Sequence, residues 1–146
     1  MSQLTEAHHI PPMMEGVFVR EAQDGRPHLL GGYCAACDRR YFPRPSYCRT
    51  CLEPVEETDL GTDGFLHAFT VVRIRPPLGF PQPYAVGYVD LAVGGLRVFC
   101  LVDPDRIGEL KIGIPVELRV ASFGDDGAGE PRLRPYFTPA TTGVAL

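Results

Sequence analysis

The sequence predicts a mostly β chain, with an N-terminal helical arm, a small four-cysteine ribbon and a C-terminal five-stranded barrel. Three observations carry this. Four of the five cysteines stand as two CxxC pairs, Cys34-Ala35-Ala36-Cys37 and Cys48-Arg49-Thr50-Cys51, with ten residues between the pairs. Sixteen Gly and fifteen Pro in 146 residues are too many for a helical bundle and suit short strands joined by turns. From Gly61 onward, β-branched and aromatic runs recur between turn signals.

Taken in order, Pro11-Pro12 is placed to start a helix, since proline is favoured at the first helical position. Met14, Val17 and Phe18 then share one face, and Asp24-Gly25 ends the run. This gives an arm over residues 1–30, whose apolar face covers the next module or meets a partner through Met13, Met14 and Phe18. The ribbon follows over residues 31–56. Two side chains three positions apart on a tight turn reach the same ion, and two such turns complete a tetrahedral thiolate shell. A structural Zn2+ held by Cys34, Cys37, Cys48 and Cys51 is the direct reading. A segment this small buries too little apolar area to fold alone, so the metal must supply its folding energy, on the order of 10 kcal/mol. Iron in the same four thiolates, as in an electron carrier, is the alternative metal. Disulfides are disfavoured because the opening MSQLTEAHHIPPMM lacks the basic and apolar regions of a signal peptide, and a cytoplasmic setting keeps thiols reduced. A thioredoxin-like pair would need one CxxC between a strand and a helix, not two facing pairs.

The barrel is read over residues 57–140, of the OB type, with a flexible tail over 141–146. Gly64 to Val72, Tyr84 to Leu91, Leu96 to Val102, Ile114 to Phe123 and Glu130 to Phe137 are the five strands, and Asp103-Pro104-Asp105 opens a short helical turn after the third. In the fourth strand Val116, Leu118 and Val120 point in, while Glu117 and Arg119 point out. From Thr138 the chain is expected to be loose. Cys100 alternates in phase with Val98 and Val102 and reads as a packed thiol. His67 shares a strand face with Phe65 and Phe69 and reads as packed or surface-lying. His8 and His9 are at most adventitious metal binders.

Composition limits function. The net charge of −4 argues against a phosphate-backbone binder, whose footprint is basic. There is one lysine, Lys111. A single-stranded nucleic-acid module, with Tyr84 and Tyr88 offering rings, is the runner-up from another class. No apolar run approaches a bilayer span. There is no Gly-rich phosphate loop and no GxSxG elbow, and Ser2, Ser46 and Ser122 have no base in the pattern. A zinc held by four cysteines has no open position with which to activate water. The chain is expected to bind or organise, with the chemistry elsewhere.

The order of parts resembles the zinc-ribbon plus OB-fold proteins associated with acyl-CoA metabolism. Gly32-Tyr33-Cys34-Ala35-Ala36-Cys37, Tyr41-Phe42-Pro43-Arg44-Pro45 and Cys48-Arg49-Thr50-Cys51 carry the resemblance. It continues through Gly61-Thr62-Asp63-Gly64, Pro83-Tyr84-Ala85-Val86-Gly87-Tyr88-Val89-Asp90-Leu91 and Ile112-Gly113-Ile114-Pro115-Val116-Glu117. Asp38 and Leu52 depart from the glycine usual after each second cysteine, which predicts an irregular second knuckle. The resemblance implies a rubredoxin-like ribbon and a subunit that pairs with a thiolase-like large subunit in a hetero-oligomer, with acyl-CoA at the interface. The details are similar to small subunits of benzoylsuccinyl-CoA thiolases. In that setting Leu78, Phe80 and Tyr84 are expected to fill a groove on the partner. Arg73, Arg75 and Arg44 are expected to meet CoA phosphates, whose geometry suits guanidinium.

Overall fold

A β-strand from His28 to Cys34 (β2) carries the first half of the molecule, and everything N-terminal to it folds back along it. The computed structural model describes residues 10–140. The strand β1 (Phe18–Val19) pairs antiparallel with Leu29 and His28. Along one edge of β2, β3 (Arg39–Tyr41) continues the pairing at Gly32 to Cys34, and β4 (Glu56–Gly61) runs along the other edge. Gly31 and Gly32 are small for a reason. A Cβ on Gly31 would meet the Tyr41 carbonyl and Leu60, and one on Gly32 would meet Val55 and Arg44.

The barrel is closed in the order β5 (Asp63–Val72), β6 (Tyr84–Leu91), β7 (Arg97–Val102), β9 (Pro131–Pro139), β8 (Pro115–Asp125) and back to β5. All neighbours are antiparallel except β7 and β9, which are parallel at Leu101–Tyr136 and Val102–Phe137. A 3-10 turn at Pro104–Glu109 bridges β7 to β8, and the Asp103 carboxylate caps it by accepting from the Asp105 N–H at 2.9 Å. This is a five-stranded OB barrel.

The two sheets share one core. Leu29 of β2 and Leu60 of β4 pack with Leu66, Val89, Val98, Val102, Leu118 and Phe137 of the barrel. A second, smaller cluster holds Cys34, Tyr41, Cys48 and Val55. The ribbon sheet therefore plugs the barrel at one end and carries the cysteines at the other.

Four expectations are corrected. The helix after Pro11-Pro12 does not form. Pro12 instead bridges to Leu133 of β9, Gly16 takes φ 79°, which breaks a right-handed helix, and Val17 turns onto the core. The N-terminal segment from residue 11 to residue 27 is thus a strap, and the sheet reaches back to Phe18 and His28 inside the expected arm. Phe65 and Phe69 do not share a face, because a bulge between Leu66 and Ala68 shifts the register at His67. Phe65 remains 53% exposed, whereas Phe69 packs against the core. Glu117 points away from the barrel core yet is buried, because Arg26 of the strap roofs it alongside Arg119. Thr138 and Pro139 lie in β9 instead of a loose tail. His8, His9 and the tail from residue 141 lie outside the described residues.

The shared core makes Leu60→Ala a test of unity. Leu60 is fully buried, so the truncation should cost about 2–5 kcal/mol. Thermal unfolding followed in parallel by far-UV circular dichroism and metal release should show one coincident transition, shifted down. Two separated transitions, with the barrel unaffected, would contradict the shared core.

Candidate metal centre and surface sites

The two knuckles are built by left-handed residues that are not glycine. Asp38 after the first pair has φ 51° and Leu52 after the second has φ 64°. Asp tolerates this region because its short polar side chain bonds locally, and here its carboxylate accepts from the Tyr33 hydroxyl at 2.7 Å. Leu52 has no such help and lies largely exposed, but its N–H closes the turn on the Cys48 carbonyl at 3.0 Å. The expected irregularity of the second knuckle is confined to this one strained residue.

The knuckles bring Cys34, Cys37, Cys48 and Cys51 together, with all four Sγ atoms within 4.8 Å of one another. Cys34 and Cys51 are 3.5 Å apart and Cys48 and Cys37 are 3.9 Å apart. A tetrahedron with Zn–S bonds of about 2.3 Å has S–S edges of about 3.8 Å. These separations therefore fit zinc and are far beyond the ~2.05 Å of a disulfide.

Hydrogen bonds from behind the cysteines prepare the sulfurs. The Tyr41 hydroxyl lies 3.2 Å from Cys48 Sγ, and the Thr50 N–H points at the same sulfur at 3.4 Å. Donation from Tyr41, then from backbone N–H groups, holds the Cys48 thiol down to about 5. The contact with Cys51 and burial push Cys37 up to about 12. These contacts favour the thiolate at Cys48 and disfavour it at Cys37, and a bound dication would offset the latter. Arg49 lies over the Tyr41 ring at 5.9 Å, and Arg40 over the Tyr33 ring at 5.1 Å. These two arginines thus pack on aromatic rings beside the cysteines. Zn2+ bound here would cross-link the ends of β2 and β3 to the second knuckle.

The other sequence-predicted residues separate. Arg44 belongs to the ribbon's own packing, its Nε donating to the Val55 carbonyl at 3.1 Å. Phe80 and Tyr84 fold inward. Phe80 meets Tyr84 edge-on at 5.1 Å and Phe123 at 5.2 Å, and the Arg134 guanidinium covers its ring at 5.0 Å. Arg134 is itself buried and donates to the carbonyls of Phe123 and Asp125. These contacts clamp the 76–83 loop to β8. Leu78 at the loop's tip, and Arg73 and Arg75 before it, remain exposed. Cys100 lies against the core, where burial raises its thiol to about 12, consistent with a packing role.

One surface escaped the sequence reading. On the outer face of β6 and β7, Tyr88 and Phe99 are paired strand neighbours with ring centroids 5.2 Å apart. They are 45% and 57% exposed. Beside them runs an open apolar groove of about 200 Å³, floored by Gly87 and walled by Ala68, Thr70 and Val86. The signal was present in the alternation that puts Val89 and Val98 inside, since Tyr88 and Phe99 then face outward.

Tyr41→Phe should keep one zinc per chain but release it to a chelator about ten times faster, since ligand-supporting hydrogen bonds are worth about 10–100-fold in affinity. Cys37→Ser should lose the metal and the ribbon fold. Full zinc content in Cys37→Ser, or release from Tyr41→Phe at the native rate, would contradict these assignments.

Comparison with known proteins agrees with this architecture. Residues 24–56 match the family model described as the ChsH2 rubredoxin-like zinc ribbon domain, and residues 57–121 match that described as the ChsH2 C-terminal OB-fold domain. A solved structure described as the Ltp2-ChsH2(DUF35) aldolase is similar in fold, with a TM-score of 0.64 and 24% sequence identity over 78% of this chain and 86% of that chain. The two family matches abut without a gap and span both the sulfur site and most of the barrel, so the chain belongs to the ChsH2-like family of zinc-ribbon/OB-fold proteins.

Proposed function

We propose that this protein is a non-catalytic, zinc-stabilised subunit that docks onto a thiolase-like enzyme acting on acyl-CoA, in the cytoplasm. The observation that carries the reading is the pairing of a closed four-sulfur site with the ChsH2 zinc ribbon and OB-fold domains in one chain. Four thiolates leave the metal no position for substrate, so zinc here is structural. The similar solved structure is described as the Ltp2-ChsH2(DUF35) aldolase, a name that joins ChsH2 to a second component. A ChsH2 named together with a second component supports a reading in which a partner carries the chemistry here.

The surface supports docking. Leu78, Phe65, Tyr88 and Phe99 are exposed apolar side chains that a lone chain leaves in water. The clamped 76–83 loop loses little entropy on binding, because Phe80 and Tyr84 already hold it. On this reading Arg73 and Arg75 at its base, both exposed, meet phosphates of acyl-CoA at the interface. The specific reaction we assign, from the motif resemblance, is thiolysis of benzoylsuccinyl-CoA. A second reading, single-stranded nucleic-acid binding, is favoured only by the exposed Tyr88–Phe99 pair.

Leu78→Asp tests docking with the fold intact, since Leu78 is the exposed tip while Phe80 is a brace. Co-expression with a thiolase-like large subunit should give one complex by size-exclusion chromatography. Leu78→Asp should weaken that complex about tenfold or more while leaving the melting temperature unchanged, as expected for a contact worth more than about 1.4 kcal/mol. Co-elution equal to wild type would reject the loop as a docking element. Tight oligonucleotide binding with steep salt dependence would transfer support to the second reading.

A further inference from the structure

One imidazole fastens the strap to the ribbon sheet. His28 Nδ1 lies 2.9 and 2.8 Å from the two carboxylate oxygens of Asp59 on β4. Its Nε2 lies 2.9 Å from Oδ2 of Asp24 in the strap's turn. Carboxylates only accept, so both ring nitrogens must donate, and only the doubly protonated imidazolium does that. A neutral ring keeps one of these bonds and turns a lone pair toward the other carboxylate.

The surroundings decide which bond is lost. Asp59 sits on a strand within the sheet, and its Oδ1 also accepts from the Gly61 N–H at 2.7 Å. Asp24 sits in a turn closed by Gly25 N–H to the Ala22 carbonyl and Ala22 N–H to the Arg26 carbonyl, both 2.9 Å. Asp24 and Asp59 are the charged groups facing the ring. Arg26 acts on Asp24, its N–H donating to Asp24 Oδ1 at 3.0 Å, while its guanidinium reaches Asp63 at 3.0 Å and Glu117 at 3.6 Å on the barrel. The turn is therefore tied to the ribbon sheet through His28 and to the barrel through Arg26. Farther back, the strap runs along β9 by Met13 N–H to the Leu133 carbonyl and Leu133 N–H to the Pro11 carbonyl.

We propose that His28 is a proton-controlled latch that closes the strap's turn on the ribbon sheet when doubly protonated and releases Asp24 when the proton leaves. The direction of titration agrees. Hydrogen bonding to Asp24, then to Asp59, raises the His28 pKa above its ordinary value. A raised folded-state value means that the stabilisation is fully present below about 6.5, the unfolded value, and is lost as pH rises through the folded value. The ring side chain is 16% exposed, so protons reach it without unfolding.

The test uses the intact zinc-loaded protein. Ring-nitrogen NMR of His28 from about pH 5.5 to about pH 9 should show both nitrogens protonated at the acid end, with a midpoint above about 6.5. Hydrogen exchange at the Gly25 and Arg26 amides, corrected for intrinsic base catalysis, should rise about tenfold through the same midpoint. His28→Gln should show the loosened turn at every pH, and Asp24→Asn should remove the pH step, both with full zinc content. A neutral ring tautomer at the acid end, or corrected exchange that is flat with pH in the native protein, would overturn the latch.

Discussion

Four sulfurs held within 4.8 Å of one another fix one end of a sheet whose other end lies in the barrel core. Cys34 terminates β2 and Leu29, five residues earlier on the same strand, packs among Leu66, Val89 and Val98. Five strand residues span about 17 Å. On the partner edge, Val55 packs by the cysteines and Leu60 enters the barrel core. Two strands thus connect the metal cage to the barrel with no flexible linker between them. The consequence is orientational. A small lobe that cannot fold by its own burial becomes a fixed projection of the barrel, because the metal closes its far end.

Reach across the same seam explains the glycines. Gly31 and Gly32 let Tyr41, Val55 and Leu60 approach β2 closely. Gly94, at φ 69°, turns the β6–β7 connection under the Arg40 side chain, where a Cβ would meet Arg40 Cδ at 2.7 Å. Arg40, in turn, covers the Tyr33 ring beside the first knuckle. At Gly31 the limit is the Tyr41 carbonyl, so a larger residue there forces the ribbon strands apart. At Gly94 the positive φ, more than the flexible Arg40 side chain, excludes one.

Local chemistry was legible in the sequence and tertiary closure was not. The cysteine spacing named all four ligands, and the strand Tyr84–Leu91 begins and ends where its turn signals place it. The failures have a common cause. Pro11-Pro12 reads as a helix start by local propensity, but the strap gains more by bridging to Leu133 and burying Val17. Period-two alternation put Phe69 on one face with Phe65 and His67, and one bulge at His67 separated them. Alternation also assigned Glu117 to solvent, correctly as to side, but it contains no information about a roof supplied by Arg26 from 91 positions away. The parallel contact of β7 with β9, which closes the barrel, leaves no trace in either strand alone.

The aromatic residues of the barrel divide into two sets by the same logic. Phe80, Tyr84 and Phe123 satisfy one another, and Arg134, deprived of water, gives its protons to the carbonyls of Phe123 and Asp125. Burial lowers the Arg134 pKa, so this cation stays beneath the Phe80 ring at an electrostatic cost that the clamp's hydrogen bonds and ring contact offset. That cost holds a surface loop in one shape. Tyr88 and Phe99 do the reverse: they form a ring pair with half their surface in water and stabilise no neighbouring loop. On the proposed reading, the first set fixes the shape presented to a partner and the second supplies apolar area for it to cover. Affinity then depends less on total area than on how little remains to be ordered when the partner arrives.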